Sequence, residues 1–316
     1  MKKQSKEKVK TGLILALCLI VALVVDYFAS IAFDLAILCL SAIATYEVSV
    51  LVTKAGFPVI KYAPVVSSCL VFVAFLVGYI LHLSAFWIMV IILGVLVVEY
   101  LCFFLLGVWI LRKRTEKDTF RKVTNMPMAK FSYFKTNNTL SACIYPAILL
   151  MFLYFLNHMG DIGLKLTSKV ANIPFGLFAL VLVFAISCIT DTFAMTFGSI
   201  IGGVKPFKKI SPKKTLSGFI FGIVGGVLGA IVAFVCFRAI CGGVFASMAL
   251  WKIAIIGGVG AIVCEAGDLF ESYLKRKAGV KEAGDFFQSH GGVIDRLDSV
   301  AFCAPLVFIS LILLLA

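Results

Sequence analysis

Long apolar runs alternate with short polar segments along the whole chain, and this pattern limits the fold more than any other feature. Nine runs of about 20 residues are long enough to cross a bilayer as α-helices. They lie near residues 12–29, 31–53, 65–83, 85–111, 141–158, 173–193, 216–238, 247–266 and 298–316. Apolar residues make up 62% of the 316 positions, which is more than a soluble domain of this size contains. The sequence therefore predicts an all-α, polytopic transmembrane helical bundle with about nine spans.

The first run follows the basic opening segment MKKQSKEKVK, as in a signal peptide. No small-residue cleavage site clearly follows it, so we expect this run to be kept as a first transmembrane helix.

The basic residues indicate an orientation. With the N-terminus in the cytoplasm, all but four of the 29 Lys and Arg residues fall in cytoplasmic segments, as the positive-inside rule requires. The exceptions are Lys165, Lys169, Arg238 and Lys252. The same orientation places the loops 194–215 and 267–297 on the cytoplasmic side. The basic segment 112–140 is expected to be a solvated loop that faces the lipid headgroups.

Acidic residues concentrate in one short stretch. Seven of the 16 Asp and Glu residues lie between Glu265 and Asp298, and apolar runs flank them. Carboxylates at a membrane boundary are costly unless they hold cations or pair with bases. The stretch therefore favours a metal- and phosphate-handling enzyme over a channel or a scaffold. The ten cysteines form no Cys-x-x-Cys pair and no Cys/His cluster, which argues against a zinc site or a disulfide framework.

Three segments carry the candidate chemistry. If the run 247–266 continues as a helix, then Glu265, Asp268, Glu271, Ser272 and Lys275 share one polar face. The alternative is a solvated helix end with pairs such as Glu271 with Lys275.

The second segment is His290-Gly291-Gly292 followed by Asp295 and Asp298. The two aspartates are three residues apart and point the same way on a helix. Convergent carboxylates are the usual ligands of Mg²⁺ beside substrate phosphates. The Gly-Gly turn is expected to bring backbone N–H groups to phosphate oxygens at a helix N-terminus.

The third segment contains Ser211, Lys214 and Thr215 just before the run 216–238, and it suits binding of a triphosphate. The alternative is a basic membrane anchor. Asp191 ends the preceding run, and an intramembrane carboxylate is a candidate functional residue. Gly198 follows it and permits close helix packing or a turn.

At these residues the chain resembles the phosphatidate cytidylyltransferase family, which makes CDP-diacylglycerol. The matching motifs span about residues 190–305, whereas the N-terminal half matches only in its hydrophobic pattern. The matching positions are Asp191, Ala194, Gly198, Ser211, Pro212, Lys214, Thr215, Gly267, Asp268, Glu271, Ser272, Lys275, Arg276, Lys281, His290, Gly291, Gly292, Asp295, Arg296 and Asp298.

The chain departs from the family pattern at several positions. Glu282 stands where the family has Asp, and Gln288-Ser289 stand where it has Pro-Gly. Leu216 stands where the family has an aromatic residue, and Ser217 stands where it has Glu. These changes concern loop stiffness and substrate preference rather than the central aspartates.

The resemblance implies that CTP and phosphatidate react to give CDP-diacylglycerol and diphosphate, and it assigns roles by position. Mg²⁺, with room for a second cation, would be held by Asp268, Asp295 and Asp298. Lys275, Arg276 and Arg296 would stabilise phosphate charge, and Asp191 and His290 would orient groups. Ser211, Lys214 and Thr215 would contact the CTP phosphates.

The resemblance also sets expectations for organisation and partners. Residues 1–140 are expected to form N-terminal transmembrane helices with a basic cytoplasmic loop, and residues 141–316 a C-terminal catalytic transmembrane domain. The expected location is the cell membrane, with the active site on the cytoplasmic side. The expected partners are CTP and phosphatidate but no nucleic acid, and a homodimer is left open.

The alternatives are a CTP-dependent lipid kinase or another lipid phosphotransferase, a membrane transporter, and an inactive family member. The transporter would need inverted repeats and a midplane site, for which the sequence gives no sign.

Overall fold

The computed structural model describes residues 17–28, 30–113, 128–160, 175–241, 245, 248–287 and 291–315, and within these ranges all regular structure is helical. A π-helical turn, Ile144–Ile148, joins two of the helices. In chain order the α-helices are α1 Leu17–Phe28, α2 Ser30–Lys54, α3 Ala63–Ile80, α4 Ala85–Lys113, α5 Met128–Cys143, α6 Leu149–Asn157, α7 Phe175–Ile201, α8 Leu216–Cys241, α9 Leu250–Lys277 and α10 Ile294–Leu315.

Eight helical segments within the described residues are long and apolar enough to cross a membrane. An apolar run in lipid becomes a helix because only a helix satisfies all its backbone hydrogen bonds internally. The predicted all-α, polytopic membrane fold is therefore confirmed. The predicted first span, 12–29, lies partly outside the described residues, and its described part, α1, is too short to count among the eight. The cytoplasmic N-terminus stays a prediction.

The prediction of a solvated loop through residue 140 is wrong for its described C-terminal part. Residues 128–140 are helical, and the candidate span Lys130–Asn157 begins among them. Phe131 and Thr139 are fully buried. The Thr139 hydroxyl accepts a hydrogen bond from the Ile60 N–H at 3.0 Å. A partner on another segment thus satisfies the Thr139 hydroxyl, one of the polar groups that lower the hydropathy of this helix.

The chain forms two compact units, and the two divide α2, α6, α9 and α10 between them. Unit one comprises the described residues of Met1–Ala36, Phe152–Tyr273 and Arg296–Ala316. Unit two comprises those of Ile37–Met151 and Leu274–Asp295. The predicted functional division at residue 140 stays a prediction.

Glycines allow very close helix packing in unit one. A Cβ atom on Gly229 of α8 would lie 2.7 Å from the Ala185 carbonyl oxygen of α7, and one on Gly257 of α9 would lie 2.7 Å from the Gly226 carbonyl oxygen of α8. Small residues permit such approaches between membrane helices, where packing rather than water drives association. The backbones of α7, α8 and α9 thus approach one another closely within unit one.

Unit two is held by polar contacts as well as by apolar packing. The Thr45 and Ser68 hydroxyls of α2 and α3 lie 3.1 Å apart, and Ser67 donates to Glu99 of α4 at 2.7 Å. The Asn138 side chain of α5 donates to the Pro58 carbonyl. These contacts join α2 to α3, α3 to α4, and α5 to the segment between α2 and α3.

Candidate active site

Three carboxylates meet in unit one. Asp268 and Glu271 lie one turn apart on α9, and Asp298 lies in the first turns of α10. One oxygen of each lies within 4.8 Å of the other two. Glu271 is fully buried and Asp298 is 8% exposed. We call these residues the acidic trio. Carboxylates this close repel one another unless protons or a cation neutralise them.

Gly267 explains how the two helices come close enough to form the acidic trio. A Cβ atom at this position would lie 2.8 Å from the Asp298 carbonyl oxygen and 2.9 Å from the Phe302 ring. A side chain here would push α10 away from α9. The residue before Asp268 therefore sets the distance between Asp268 and Asp298.

Lys214 supplies positive charge beside the acidic trio. Its ammonium group lies 2.9 Å from Asp268 Oδ2 and 2.5 Å from Glu265 Oε2. Burial lowers the pKa of the Lys214 ammonium, but the carboxylates of Asp268 and Glu265 together outweigh this effect, so the pKa is raised above its ordinary value. Lys214 is therefore a cation at physiological pH.

The residues around Lys214 hold it at the start of α8. The Thr215 hydroxyl accepts the Gly218 N–H at 3.1 Å, which is the N-cap hydrogen bond of this helix. Thr215 also packs against Gly198 of α7, where a Cβ atom would lie 2.9 Å from its hydroxyl. The close helix packing predicted at Gly198 is thus present. Thr215 is 7% exposed, and its hydroxyl is engaged in capping.

Asp191 adds a further negative charge in the same unit. Its side chain is exposed on α7, and it interacts electrostatically with Asp268, Glu265 and Lys214. Ser211 lies in the turn that leads to Lys214, where its carbonyl accepts the Lys214 N–H at 3.2 Å. The structure thus brings Asp191, Lys214 and Asp268 near one another.

Asp295 lies in unit two and is surrounded by donors. Lys275 donates to its Oδ1 at 2.7 Å, while Oδ2 accepts the Gly292 N–H at 2.7 Å and the Ala283 N–H at 2.9 Å. Gly291, with a φ of +83°, turns the chain tightly over this carboxylate. Asp295 as a metal ligand stays a prediction, and in the structure its oxygens order the loop that precedes α10.

The phosphate contact of the Gly-Gly turn stays a prediction, and carboxylates of this protein accept the N–H groups that the structure describes at this turn. Asp295 takes the Gly292 N–H, and Glu47 of α2 takes the N–H groups of Val293 and Ile294. Side chains of this protein therefore occupy the anion-binding positions at this helix start. His290, predicted to orient groups, lies outside the described residues.

The two predicted arginines are exposed. Arg276 donates to the Val280 carbonyl at 3.4 Å, next to the end of α9. Arg296 lies in the first turn of α10. Both can contact an anion from the surface of their own unit.

Sequence reasoning placed Glu265 and Glu271 on the polar face of Asp268 but assigned neither a role in the site, and it left out Glu47; all three are buried. The i, i+3 and i, i+6 spacings of Glu265, Asp268 and Glu271 were a usable signal for two of them, since all three share a helix face. Glu47 gave only the signal of a charge inside an apolar run.

The acidic trio fits a divalent cation. Mg²⁺ prefers oxygen ligands and is usually bound by a few carboxylates together with substrate phosphates. The trio offers three carboxylates at compatible separations, and Lys214 balances only part of the charge of Asp268 and Glu265. Asp268 and Asp298 were predicted as ligands, which stays a prediction, and Glu271 lies within the same distance of both.

Comparison of the sequence with known proteins identifies the family of this chain. The sequence model of the cytidylyltransferase family matches residues 6–314, almost the whole chain. The chain is 38% identical to a phosphatidate cytidylyltransferase of Synechocystis over 46% of each protein. It is 43% identical to the Helicobacter pylori protein of that name, over 41% of this chain and 46% of the relative.

A third relative, the phosphatidate cytidylyltransferase of Rickettsia bellii, is 36% identical over 46% of this chain and 63% of its own length. The chain thus spans about half the length of the curated relatives it matches. The family match, in contrast, includes both units and all of the acidic trio, and on that ground the chain belongs to the cytidylyltransferase family.

Proposed function

We propose that this protein is a phosphatidate cytidylyltransferase, which converts CTP and phosphatidate into CDP-diacylglycerol and diphosphate. The observation that carries the proposal is the acidic trio beside Lys214 within a chain of the cytidylyltransferase family. Relatives named for this activity support it. The eight candidate spans among the described residues suit a lipid substrate that stays in the bilayer.

The reaction joins two strongly anionic molecules. An oxygen of the phosphatidate phosphate attacks the α-phosphorus of CTP, and a new P–O bond forms between them. The bond from the α-phosphorus to the oxygen that bridges to the β-phosphorus breaks, and diphosphate leaves with that electron pair. Phosphatidate is already ionised, so no strong general base is needed. Charge neutralisation and alignment are the main tasks of the protein.

Asp268, Glu271 and Asp298 would hold Mg²⁺. The bound ion would withdraw charge from the phosphate oxygens during transfer. Lys214 would contribute in two ways. Without substrate it balances Asp268 and Glu265, and on CTP binding its ammonium group is near enough to the metal site to contact a phosphate oxygen. Glu265 would keep that ammonium group in position.

The family resemblance extends the proposal to further residues. Lys275, Arg276 and Arg296 would balance phosphate charge, Ser211 and Thr215 would shape the CTP phosphate site, and Asp191 and His290 would orient groups. For Thr215 the observed helix cap suggests an indirect role through Lys214. For Asp295 we propose that it orders the loop before α10, with a second cation as its alternative partner.

We further propose that the protein lies in the cell membrane with its N-terminus and active site in the cytoplasm, where CTP is available. The support is the distribution of Lys and Arg along the sequence. A homodimer is compatible with this arrangement.

Transfer of labelled CTP tests the proposed reaction. Detergent-purified protein is incubated with phosphatidate and CTP labelled at the α- or the γ-phosphate, with and without Mg²⁺. We expect α-label in the lipid phase and release of diphosphate, both dependent on Mg²⁺. Transfer of γ-label alone would identify a lipid kinase instead. Transfer of neither label would refute the proposal and favour an inactive family member or a transporter.

A further inference from the structure

Glu47 makes an unusual pair of hydrogen bonds. It lies inside α2, is 6% exposed, and faces the start of α10. Its Oε1 accepts the Val293 N–H at 3.1 Å and its Oε2 accepts the Ile294 N–H at 2.9 Å. The first N–H groups of a helix have no partner within the helix and carry its positive dipole end. A carboxylate from a distant part of the sequence therefore satisfies the N-terminus of α10.

Two glycines make room for this carboxylate. The three atoms nearest to a Cβ built on Gly292 would all belong to the Glu47 side chain, and the same holds for Gly284. Neither glycine has the positive φ angle that would by itself require glycine. The absence of a side chain at 284 and 292 is therefore explained by Glu47 and not by backbone conformation.

Glu47 and Asp295 act on adjacent N–H groups. Asp295 accepts the Gly292 N–H, and Glu47 accepts the next two. Three consecutive donors thus point at two carboxylates, one from α2 and one from α10 itself. A charged acceptor binds an N–H group more strongly than a neutral one. This arrangement fixes the position at which α10 begins.

We propose that Glu47 is a positioning residue, which sets the start of α10 and thereby the direction of Asp298 one turn further along that helix. The inference rests on the proposed function, because Asp298 belongs to the acidic trio. It assigns a role in the reaction to a helix of the N-terminal half, outside the motifs at residues 190–305. Glu47 itself need not touch a substrate or an ion.

Hydrogen exchange in detergent tests the anchor without any reaction. We compare wild-type protein with Glu47→Gln and Glu47→Ala. The matched control is Glu99→Gln, since Glu99 is also a buried glutamate of unit two, 4% exposed, and accepts a hydrogen bond from Ser67. Loss of a charged acceptor should raise exchange of the 291–298 peptide about tenfold or more in both Glu47 variants. The control should leave that peptide at the wild-type rate.

A double-substitution cycle tests the direct contact between Glu47 and Gly292. Gly292→Ala alone should raise exchange of the same peptide strongly, because the added methyl group meets the carboxylate. In the Glu47→Ala background the methyl group has room, so Gly292→Ala should add little. Contacting residues are coupled in this way, whereas independent ones give additive effects. Additive effects would overturn the proposed contact.

The Mg²⁺ requirement separates positioning from general stability. In Glu47→Gln we expect the Mg²⁺ concentration for half-maximal thermal stabilisation to rise about tenfold, as for other residues that orient metal ligands. The KM for phosphatidate should stay at the wild-type value. A lower melting temperature with an unchanged Mg²⁺ requirement, or faster exchange spread evenly over all helices, would make Glu47 merely structural and overturn the proposal.

These readouts also separate this inference from the proposed function. If wild-type protein transfers no cytidylyl group, the proposed function fails, and hydrogen exchange and Mg²⁺-induced stabilisation alone decide on the anchor. If transfer occurs but all Glu47 variants exchange like wild type at residues 291–298, the anchor fails and the proposed function stands.

Discussion

Two groups of carboxylates, one in each unit, differ in what faces them. In unit two, Glu47 and Asp295 are surrounded by backbone N–H groups and by Lys275. In unit one, the carboxylates of the acidic trio face one another. Fixed donors thus neutralise the carboxylates in unit two, whereas in unit one three carboxylates, one of them paired with Lys214, lie close enough together to share a divalent cation.

This contrast gives a way to separate ligands from scaffolding in a stretch crowded with acidic residues. A carboxylate whose two oxygens are held by rigid donors orders the backbone, and a cation would have to displace those donors. A group of carboxylates within 4.8 Å of one another gains most from a divalent ion. Asp295 and Asp298 are three residues apart, yet they fall on different sides of this distinction.

The largest effect is expected for Asp298→Asn. Removing one charged ligand should lower the rate of α-label transfer about 10³-fold at saturating Mg²⁺. The matched control is Asp285→Asn, because Asp285 is an exposed aspartate in the loop between α9 and α10. The control should transfer label at the wild-type rate. Wild-type activity of Asp298→Asn would remove the acidic trio as the metal site.

A smaller effect is expected for Glu271→Gln, which tests the member of the trio that the sequence did not predict as a metal ligand. The Mg²⁺ concentration for half-maximal thermal stabilisation should rise about 10- to 100-fold. Differential scanning fluorimetry over a Mg²⁺ series measures it, with Glu99→Gln as the control. If Glu271→Gln melts lower at every Mg²⁺ concentration with an unchanged Mg²⁺ requirement, Glu271 belongs with the structural carboxylates.

Gly267→Ala tests whether helix approach creates the acidic trio. The added methyl group would meet the Asp298 carbonyl and Phe302, and crowding of this kind costs about 1–3 kcal/mol of unfolding free energy. Mg²⁺-induced stabilisation should weaken as well. The control on the same helix is Gly258→Ala, whose methyl group would meet only a Val227 methyl at an ordinary 3.4 Å. Equal effects of the two substitutions would show that close approach at Gly267 is not special.

The smallest effect is expected for the pH dependence of the Lys214 ion pairs. Lys214→Met should lower the melting temperature by a few degrees, since a partly exposed pair contributes on the order of 1 kcal/mol. The pKa of Lys214 is raised in the folded state, so its contribution is complete below the ordinary lysine pKa of about 10.4 and is lost as pH rises through the folded value.

The difference in melting temperature between wild type and Lys214→Met should therefore be constant from about pH 7 to pH 9 and shrink only above the ordinary lysine pKa. A difference that vanishes below pH 9 would mean that burial outweighs the carboxylates. Lys213→Met is the control, because Lys213 is the exposed neighbour of Lys214.

Hydropathy was sufficient to predict most helices but not their polar ends. The predicted span 85–111 corresponds to α4, and the expected continuation of the run 247–266 is present, since α9 extends to Lys277. The helix at 128–140 was missed because Ser132 and Thr136, both fully buried, lower its hydropathy. Their burial depends on how other segments pack, which a one-dimensional window does not record.

In the candidate site, too, local sequence patterns could be read from the sequence, whereas contacts that depend on packing could not. Asp268, Asp298 and Lys214 could be predicted, because spacing on one helix and family motifs mark them. The separation of Asp295 from the acidic trio could not, since it depends on the path of the 278–293 loop. Glu47 was beyond sequence reasoning for the same reason: its partners are backbone N–H groups, which leave no trace in residue type.

The Glu47 hydrogen bonds join positions 246 and 247 residues apart, and this separation has a consequence for biosynthesis. α2 enters the membrane long before Val293 and Ile294 are translated. During that interval its carboxylate has neither of these partners, and a charge in lipid is costly. The nascent chain must therefore keep Glu47 protonated or in contact with water until α10 arrives. When α10 forms, its first N–H groups bind the Glu47 carboxylate, and the side chain no longer needs a proton or water.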